Sequence, residues 1–459
     1  MKKKGYKRIS RLSRAERILK LLKKAKKMDI DPSSGKLFAY VYETGDSGLR
    51  KITKEANNMF YESNYLDFTV FRSAIFFEKE ILKFVKEILN APEDSVGTFT
   101  FGGTESIMLA VKAARDKFFS LGKTGKPELI VPITIHPAFL KSADYLGLDV
   151  KRVPVDSNGR VLVDELKKSI TERTALVAVS APNWPFGVVD PVEDIADITR
   201  EYKIPLHVDA CLGGFVLPFF ERLGLPVRKF DFRVKGVTSI SADIHKYGYA
   251  PKGSSVVLFR DKELKKFSMY VDTSSLGYVL VNQVVLSSRP IGPIASAFST
   301  LEYFGQDGYM VLAKKILQAR DKILDGMIKL GFYSVFPVES NILCLSSRVH
   351  DLINFVLNMK ALGWHFHLQK AERQLNIPQT IHLAVSPIHV KRVEDFLSDA
   401  KKSLKIRWNI DLQRDLNDVI SGIISGKIDP VIIPLLLDYL PSDLAEDMIK
   451  DTVISWFSG

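Results

Sequence analysis

The stretch Ser241-Ala-Asp-Ile-His245-Lys246-Tyr-Gly-Tyr-Ala-Pro-Lys252-Gly-Ser-Ser255 decides how this chain reads. It follows a short apolar run, Ser239–Ala242, and runs into a glycine-containing turn. A lysine directly after a histidine at the end of a strand is a candidate Schiff-base lysine. Its amine becomes nucleophilic where burial or a nearby cation lowers its pKa. A surface lysine in a turn is the ordinary alternative, so Lys246 has to be weighed with what surrounds it.

Working outward, Pro205-Leu-His207-Val-Asp209-Ala210-Cys-Leu-Gly-Gly214 is an apolar strand that ends in an acid and then reaches glycines. Asp209 could simply cap the next helix. It could also pair with a protonated pyridine nitrogen and keep such a ring cationic as an electron sink. Further strand-like runs are Glu128–Ile133, Val150–Val155, Ala175–Ser180 and Ser254–Phe259, with helical stretches such as Glu105–Phe119 and Val192–Tyr202 between most of them. Strands separated by helices predict an α/β fold with a mostly parallel sheet covered on both faces. In such sheets sites gather at the carboxyl ends of the strands. Both motifs lie there.

So do two others. Thr100-Phe-Gly102-Gly103-Thr104-Glu105-Ser106 runs straight into a helix. Its glycines let backbone N–H groups approach an anion, Thr104 adds a hydroxyl, and the helix start favours negative charge. No Gly-Lys-Ser/Thr follows, so it is not a nucleotide P-loop, and its spacing does not match a dinucleotide fingerprint. The loop suits one phosphate, or is a plain glycine turn. His136 follows the strand ending near Ile133; a flat imidazole could stack on a cofactor ring, although a lone histidine is more often structural. Together these residues point to pyridoxal 5′-phosphate (PLP). His365 and His367 alternate on a short strand without a third ligand, so no metal site is expected.

The 459 residues allow one large α/β unit with smaller ones attached. The formal charge of +12 is confined: residues 1–28 hold thirteen Lys and Arg against a single Glu, and the remainder is balanced. No aromatic-studded basic stripe accompanies it, so no nucleic-acid partner is expected. Ile18, Leu19, Leu21, Leu22 and Ala25 fall on one face of a helix spanning about Ser13–Met28. That arm either touches an anionic membrane surface or packs its leucines on the body or a partner subunit. Two distant cysteines and the absence of any apolar run of roughly 18–20 residues suggest a cytoplasmic protein. The expected units are a basic helical arm (1–54), a large PLP-binding domain (55–290), a connecting helix near Ala295–Leu330 with a small α+β domain (291–408), and a helical tail (409–459) broken by Pro430, Pro434 and Pro441. Strands in the small domain are expected at Ser340–Ser346 and Thr380–Ala384.

Taken in order, these motifs resemble the sphingosine-1-phosphate lyase family, in the group II decarboxylase-like branch of fold-type I PLP enzymes. The stretch Phe230–Ser255 carries the resemblance most densely, and it covers roughly residues 55–405. It implies an aspartate-aminotransferase-like fold and a homodimer with a shared active site. It also implies cleavage of a phosphorylated long-chain amino alcohol to a fatty aldehyde and phosphoethanolamine. By motif, Lys246 would carry the cofactor, Asp209 would pair with its ring nitrogen and His136 would stack on it. Gly103 and Thr104 would hold its phosphate with His245 close by, and His207 and Ala210 would belong to the cofactor set. Tyr249, Lys252 and Ser288-Arg289-Pro290 would lie near the substrate.

The chain departs from the family pattern in places. An Asn-Pro-Leu-His-Pro-Asp segment is replaced by Asn64-Tyr-Leu-Asp67, a glycine-rich segment by Ser274–Leu280, and a cradle serine by Phe101. An amino-acid decarboxylase built on the same cofactor end is therefore the alternative, and a catalytically silent, membrane-associated relative is a third.

Overall fold

Glu128–Pro132 and Thr174–Ser180 are buried at every residue, as continuous apolar runs must be when helices cover both faces of a sheet. The computed structural model describes residues 11–372, 375–406 and 442–457. Helix α1 (Arg11–Lys26) opens the described chain, followed by α2 (Ser47–Met59) and α3 (Ser73–Ile88). The large sheet has seven strands: β1 (Val96–Thr100), β2 (Glu128–Pro132), β3 (Asp149–Val153), β4 (Thr174–Ser180), β5 (Leu206–Asp209), β6 (Val237–Ala242) and β7 (Ser255–Phe259). Their order is β1-β7-β6-β5-β4-β2-β3. Strands β3, β2, β4, β5 and β6 are mutually parallel, and β7 is antiparallel to both β6 and β1. Strand β7 therefore runs against the other six, whose carboxyl ends share one edge.

Helices α4 (Gly103–Ser120) and α5 (Ala138–Leu146) cover one face, where Ile107, Val111 and Phe139 meet Leu176 and Ala178. Alternate residues of the same strand, Val177 and Val179, face the second core with residues of α7 (Val192–Glu201) and α8 (Leu217–Arg222). The short helices α6 (Val163–Lys168) and α9 (Lys262–Lys266) lie in connections. Strands β8 (Tyr270–Asp272) and β9 (Leu280–Asn282) form a separate antiparallel hairpin.

The long helix α10 (Gly292–Lys329) leads to the second sheet. It is kinked at Gly305, whose φ of 52° and ψ of −176° suit glycine alone. That sheet comprises β10 (Phe332–Ser334), β11 (Ile342–Ser347), β12 (His367–Gln369) and β13 (Thr380–Ala384), ordered β10-β11-β13-β12 and antiparallel throughout. Helix α11 (Leu352–Ala361), capped by Asp351, and α12 (Val393–Ser403) pack with it. Helix α13 (Ser442–Phe457) ends the described chain. The proline-broken segment of the expected helical tail lies outside the described residues.

Two features differ from the sequence expectation. Strand β1 was not anticipated, because Val-Gly-Thr-Phe-Thr is short, polar and interrupted by glycine; as an edge strand it needs burial only in its second half. Residues 36–54, grouped with the basic arm from sequence, pack into the body instead. The Phe38 N–H donates to the His365 carbonyl, the Ala384 N–H donates to the Phe38 carbonyl, and the Phe38 ring stacks on His389 at 3.9 Å. This strap ends at Asp46, which caps α2.

Candidate active site

The strand register aligns Ser180, Asp209 and Ser241 across β4, β5 and β6. The loops beyond the ends of β5 and β6, with those after β1 and β2, line a cavity of about 550 Å³. Gly103, Thr104, His136, Asp209, His245 and Lys246 all line it. Residues from four separate strand ends are thus gathered at one carboxyl edge, as open α/β sheets arrange their sites.

Lys246 lies on the cavity floor with its Nζ 2.8 Å from Asp243 Oδ2. Burial opposes a charge on this amine, but the Asp243 carboxylate outweighs it, with help from Cys211, Tyr42 and Asp209, and holds the pKa of Lys246 above its ordinary value. Asp243 responds in kind: burial alone would raise its pKa, yet Lys246 and then His245 hold it below the usual carboxylate range. The second oxygen, Oδ1, has no hydrogen-bond partner among the described residues. Asp243 stands inside the quoted stretch three residues before Lys246, a spacing that brings both side chains to one side of the turn; its role was missed from sequence.

The anion cradle is built by close approach. A methyl group added at Gly103 would meet both Asp243 oxygens at 2.8 Å and Cys211 Sγ at 2.9 Å. Only glycine lets the start of α4 sit this near the floor. No described side chain caps that helix start, so its backbone N–H groups remain suited to a phosphate. Glu105 fixes the cradle from behind: Oε2 accepts from the Phe101 N–H at 2.7 Å, and Oε1 accepts from the Val285 N–H at 2.9 Å and the Leu286 N–H at 3.4 Å. Val285 and Leu286 themselves line the cavity. This clamp ties the loop before Ser288-Arg289-Pro290 to the cradle.

The two cavity histidines are held as neutral rings. Burial lowers the pKa of His136, and its Nδ1 accepts from the Ala138 N–H at 3.2 Å, so the proton resides on Nε2. Burial likewise pulls His245 down to about 4. Its Nδ1 accepts from the Ser254 N–H at 3.3 Å, which leaves the Nε2 proton toward Asp243 Oδ2, 3.6 Å away. Asp209 fixes its own loop, with Oδ1 accepting from the Cys211 N–H at 3.0 Å.

Four residues expected at the site stand elsewhere. His207 does not line the cavity: it is fully buried two residues behind Asp209, between Ser239 Oγ at 2.9 Å and Ser241 Oγ at 3.2 Å, with burial pulling it down to about 4. Ala210 is buried beneath the site, its N–H donating to the Ser241 carbonyl. Tyr249 and Lys252 line a second, smaller cavity of about 180 Å³ that shares His245 with the first. Tyr249 has a left-handed backbone, φ 60°, and its ring stacks on Tyr309. The ammonium of Lys252 lies 5.0 Å from the centre of the Tyr42 ring and donates to the His245 carbonyl at 3.3 Å. Withdrawal of that ammonium from water, reinforced by Lys246, pulls it down to about 8. Tyr42 also lines this second cavity and is carried there by the 36–46 strap; no local sequence signal marks it.

The residues present fit PLP. An amine on a buried floor, an uncapped helix start backed by an obligatory glycine, a carboxylate at a neighbouring strand end and a neutral imidazole match the aldehyde, phosphate, ring nitrogen and ring face of that cofactor. Lys246, Gly103, Thr104, Asp209, His136 and His245 are the residues that would hold it. A family model described as the pyridoxal-dependent decarboxylase conserved domain matches residues 52–337. The chain is 38% identical over 382 residues to sphingosine-1-phosphate lyase 1 of Rattus norvegicus, covering 82% of this chain and 66% of that protein. It is 38% identical over 373 residues to sphingosine-1-phosphate lyase of Dictyostelium discoideum, covering 81% and 69%. The chain thus spans about two thirds of the length of these relatives. Among solved structures, a sphingosine-1-phosphate lyase of Burkholderia pseudomallei superposes with a TM-score of 0.81 at 28% identity, covering 94% of this chain and 97% of that one.

Proposed function

Because the chain belongs to the sphingosine-1-phosphate lyase family, within the pyridoxal-dependent decarboxylases, we propose that it cleaves a phosphorylated long-chain amino alcohol by a retro-aldol reaction. The observation that carries this reading is the convergence of Lys246, Asp243, Asp209, His136 and the Gly103–Thr104 helix start in one cavity. Bound PLP supplies an electron sink next to the substrate's amine-bearing carbon. In the substrate, the hydroxyl on the neighbouring carbon gives up its proton and the bond between the two carbons breaks. A fatty aldehyde leaves, and the amine-bearing carbon takes a proton to leave phosphoethanolamine.

The protein's share is placement. Asp209 would hold a proton at the ring nitrogen, His136 presents a flat neutral face, and Asp243 sets the charge of Lys246. Lys252, charged below about pH 8, offers a cation for the substrate phosphate. The outer wall is apolar at Phe101, Met108, Val285 and Leu286, which suits an alkyl chain.

A homodimer belongs to this reading. Val285 and Leu286 line the cavity yet are 56% and 45% exposed, and the β8–β9 hairpin beside them exposes Tyr270, Val271, Leu276, Tyr278 and Val279. A second copy covering this face would close the cavity. A reducing, cytoplasmic setting also belongs to it, supported by two cysteines that are buried and free.

Incubation of the PLP-loaded protein with sphingosine 1-phosphate and with a panel of amino acids, followed by mass spectrometry, tests the proposal. Aldehyde and phosphoethanolamine are the expected products. Carbon dioxide from an amino acid, with no aldehyde, would instead establish the carboxy-lyase alternative. That alternative draws on Asp67, an exposed carboxylate engaged in its own turn where the family pattern has a histidine nearby.

A further inference from the structure

Helix α1 takes no part in either cavity, and its surface is unlike the rest of the chain. Ile18, Leu21, Leu22 and Ala25 recur at the spacing of one helical face. All four are exposed, the three large ones at 51%, 57% and 60%, and Leu19 beside them at 56%. Lys20, Lys23 and Lys24 repeat the same spacing two residues on, which places them on the opposite face, and Lys27 follows just past the helix end. Glu16 is the one acid among residues 1–28, and the chain beyond is electrically balanced.

We propose that α1 is a docking surface for an anionic lipid membrane, lying in the interface with its Ile–Leu face in the acyl region and its lysines among the headgroups. The charge distribution selects this occupant. A balanced body, or a second copy of it, offers no excess of negative charge to meet this arm, whereas an anionic leaflet does. A nucleic acid would satisfy the lysines but not the exposed leucines. The helix lies on the membrane rather than through it: its 16 residues include many cations, and no described helix is long and apolar enough to cross a bilayer. The inference stands on the arm alone, so vesicle binding and turnover can fail independently.

The test is co-sedimentation of the full-length, PLP-loaded protein with phosphatidylcholine vesicles, with and without phosphatidylserine. Binding is expected only when phosphatidylserine is present, and it should weaken as salt rises. Lys20→Gln with Lys24→Gln should reduce partitioning roughly 25-fold, about fivefold for each charge. Ile18→Gln with Leu22→Gln should reduce it by at least about tenfold, while cofactor absorbance, turnover and sedimentation coefficient stay as in the wild type. Equal binding to both vesicle types, or unchanged binding of the Ile18→Gln/Leu22→Gln protein, would overturn the proposal. So would dissociation of that variant into subunits, which would make the stripe a subunit contact. Tighter binding to single-stranded RNA, insensitive to the apolar substitutions, would also overturn it.

Discussion

Replacing Asp243 with Asn tests whether this carboxylate sets the charge of Lys246. The Lys246 and Asp243 side chains are 19% and 1% exposed, and their charged atoms are 2.8 Å apart. At an effective dielectric of about 20, two unit charges at that separation attract by about 6 kcal/mol. Asparagine keeps the shape, removes the largest attraction and leaves the cost of burying an ammonium opposed only by the weaker pull of Cys211, Tyr42 and Asp209. Even about 3 kcal/mol, the low end for removing one partner of a buried pair, shifts the balance between ammonium and neutral amine by more than about 100-fold. The sign follows from the pair: Asp243 raises the pKa of Lys246, so the variant's amine is neutral at lower pH. Only the neutral amine adds to a carbonyl. The assay is the rate at which cofactor-free protein captures added PLP, followed by visible absorbance across a pH series. The midpoint of the profile should move to lower pH in Asp243→Asn, and capture near neutrality should accelerate. Asp243 also stands behind the anion cradle, so a change in affinity alone would not be decisive; the midpoint is the discriminating quantity. A profile that keeps its midpoint would refute the reasoning.

Three further outcomes follow from the same geometry. Gly103→Ala places a methyl 2.8 Å from both Asp243 oxygens and 2.9 Å from Cys211 Sγ; an overpacking cost of about 1–3 kcal/mol should weaken PLP binding by roughly 5- to 150-fold in an absorbance titration, and binding within twofold of wild type would contradict it. Lys252 is charged below about pH 8 and neutral above, so KM for a phosphorylated substrate should climb as pH passes that point in the wild type but not in Lys252→Arg, and superimposable profiles would remove Lys252 from phosphate recognition. Glu105→Gln keeps only one acceptor oxygen for two groups of N–H donors, so PLP dissociation should quicken about tenfold with kcat less affected; an unchanged dissociation rate would show that the clamp does not support the cradle.

The site was legible in sequence wherever one strand end carried its own signal. Asp209 closes an apolar run before glycines, Gly103-Thr104 opens a helix, and Lys246 follows a histidine; the parallel sheet then brings them together without further instruction. His207 shows the limit of reading by neighbourhood. It shares a face with Asp209, but a pleat of two residues sets it about 6–7 Å deeper, beneath Phe139 and away from the cavity. Tyr42 could not be found locally, because its place depends on Phe38 pairing with residues more than 300 positions later. The partner of the Glu105 clamp is similarly remote, 180 residues along the chain. Long-range backbone pairings of this kind leave no periodic trace in the segment that they position.

The departures from the family pattern acquire a physical meaning once they are located. Asn64 and Tyr65 are bound into the body: the Tyr65 N–H donates to the Arg289 carbonyl at 2.8 Å, the Arg289 N–H donates to Asn64 Oδ1 at 3.2 Å, and the Arg289 guanidinium lies 4.3 Å from the centre of the Tyr65 ring. Two residues on, Asp67 leaves that frame and caps an exposed turn through the Thr69 N–H and hydroxyl. The Ser274–Leu280 segment likewise lies at an exposed hairpin, where Leu276 and Tyr278 meet solvent. Neither altered segment contributes to the cavity that holds Lys246. Apart from Phe101, which lines that cavity, the alterations fall on segments that leave Asp67, Leu276 and Tyr278 exposed to any second copy. If that copy closes the cavity, the changed residues act on the substrate from the neighbouring chain. Their effect should then appear in KM and in substrate choice, while the cofactor's absorbance and affinity stay fixed.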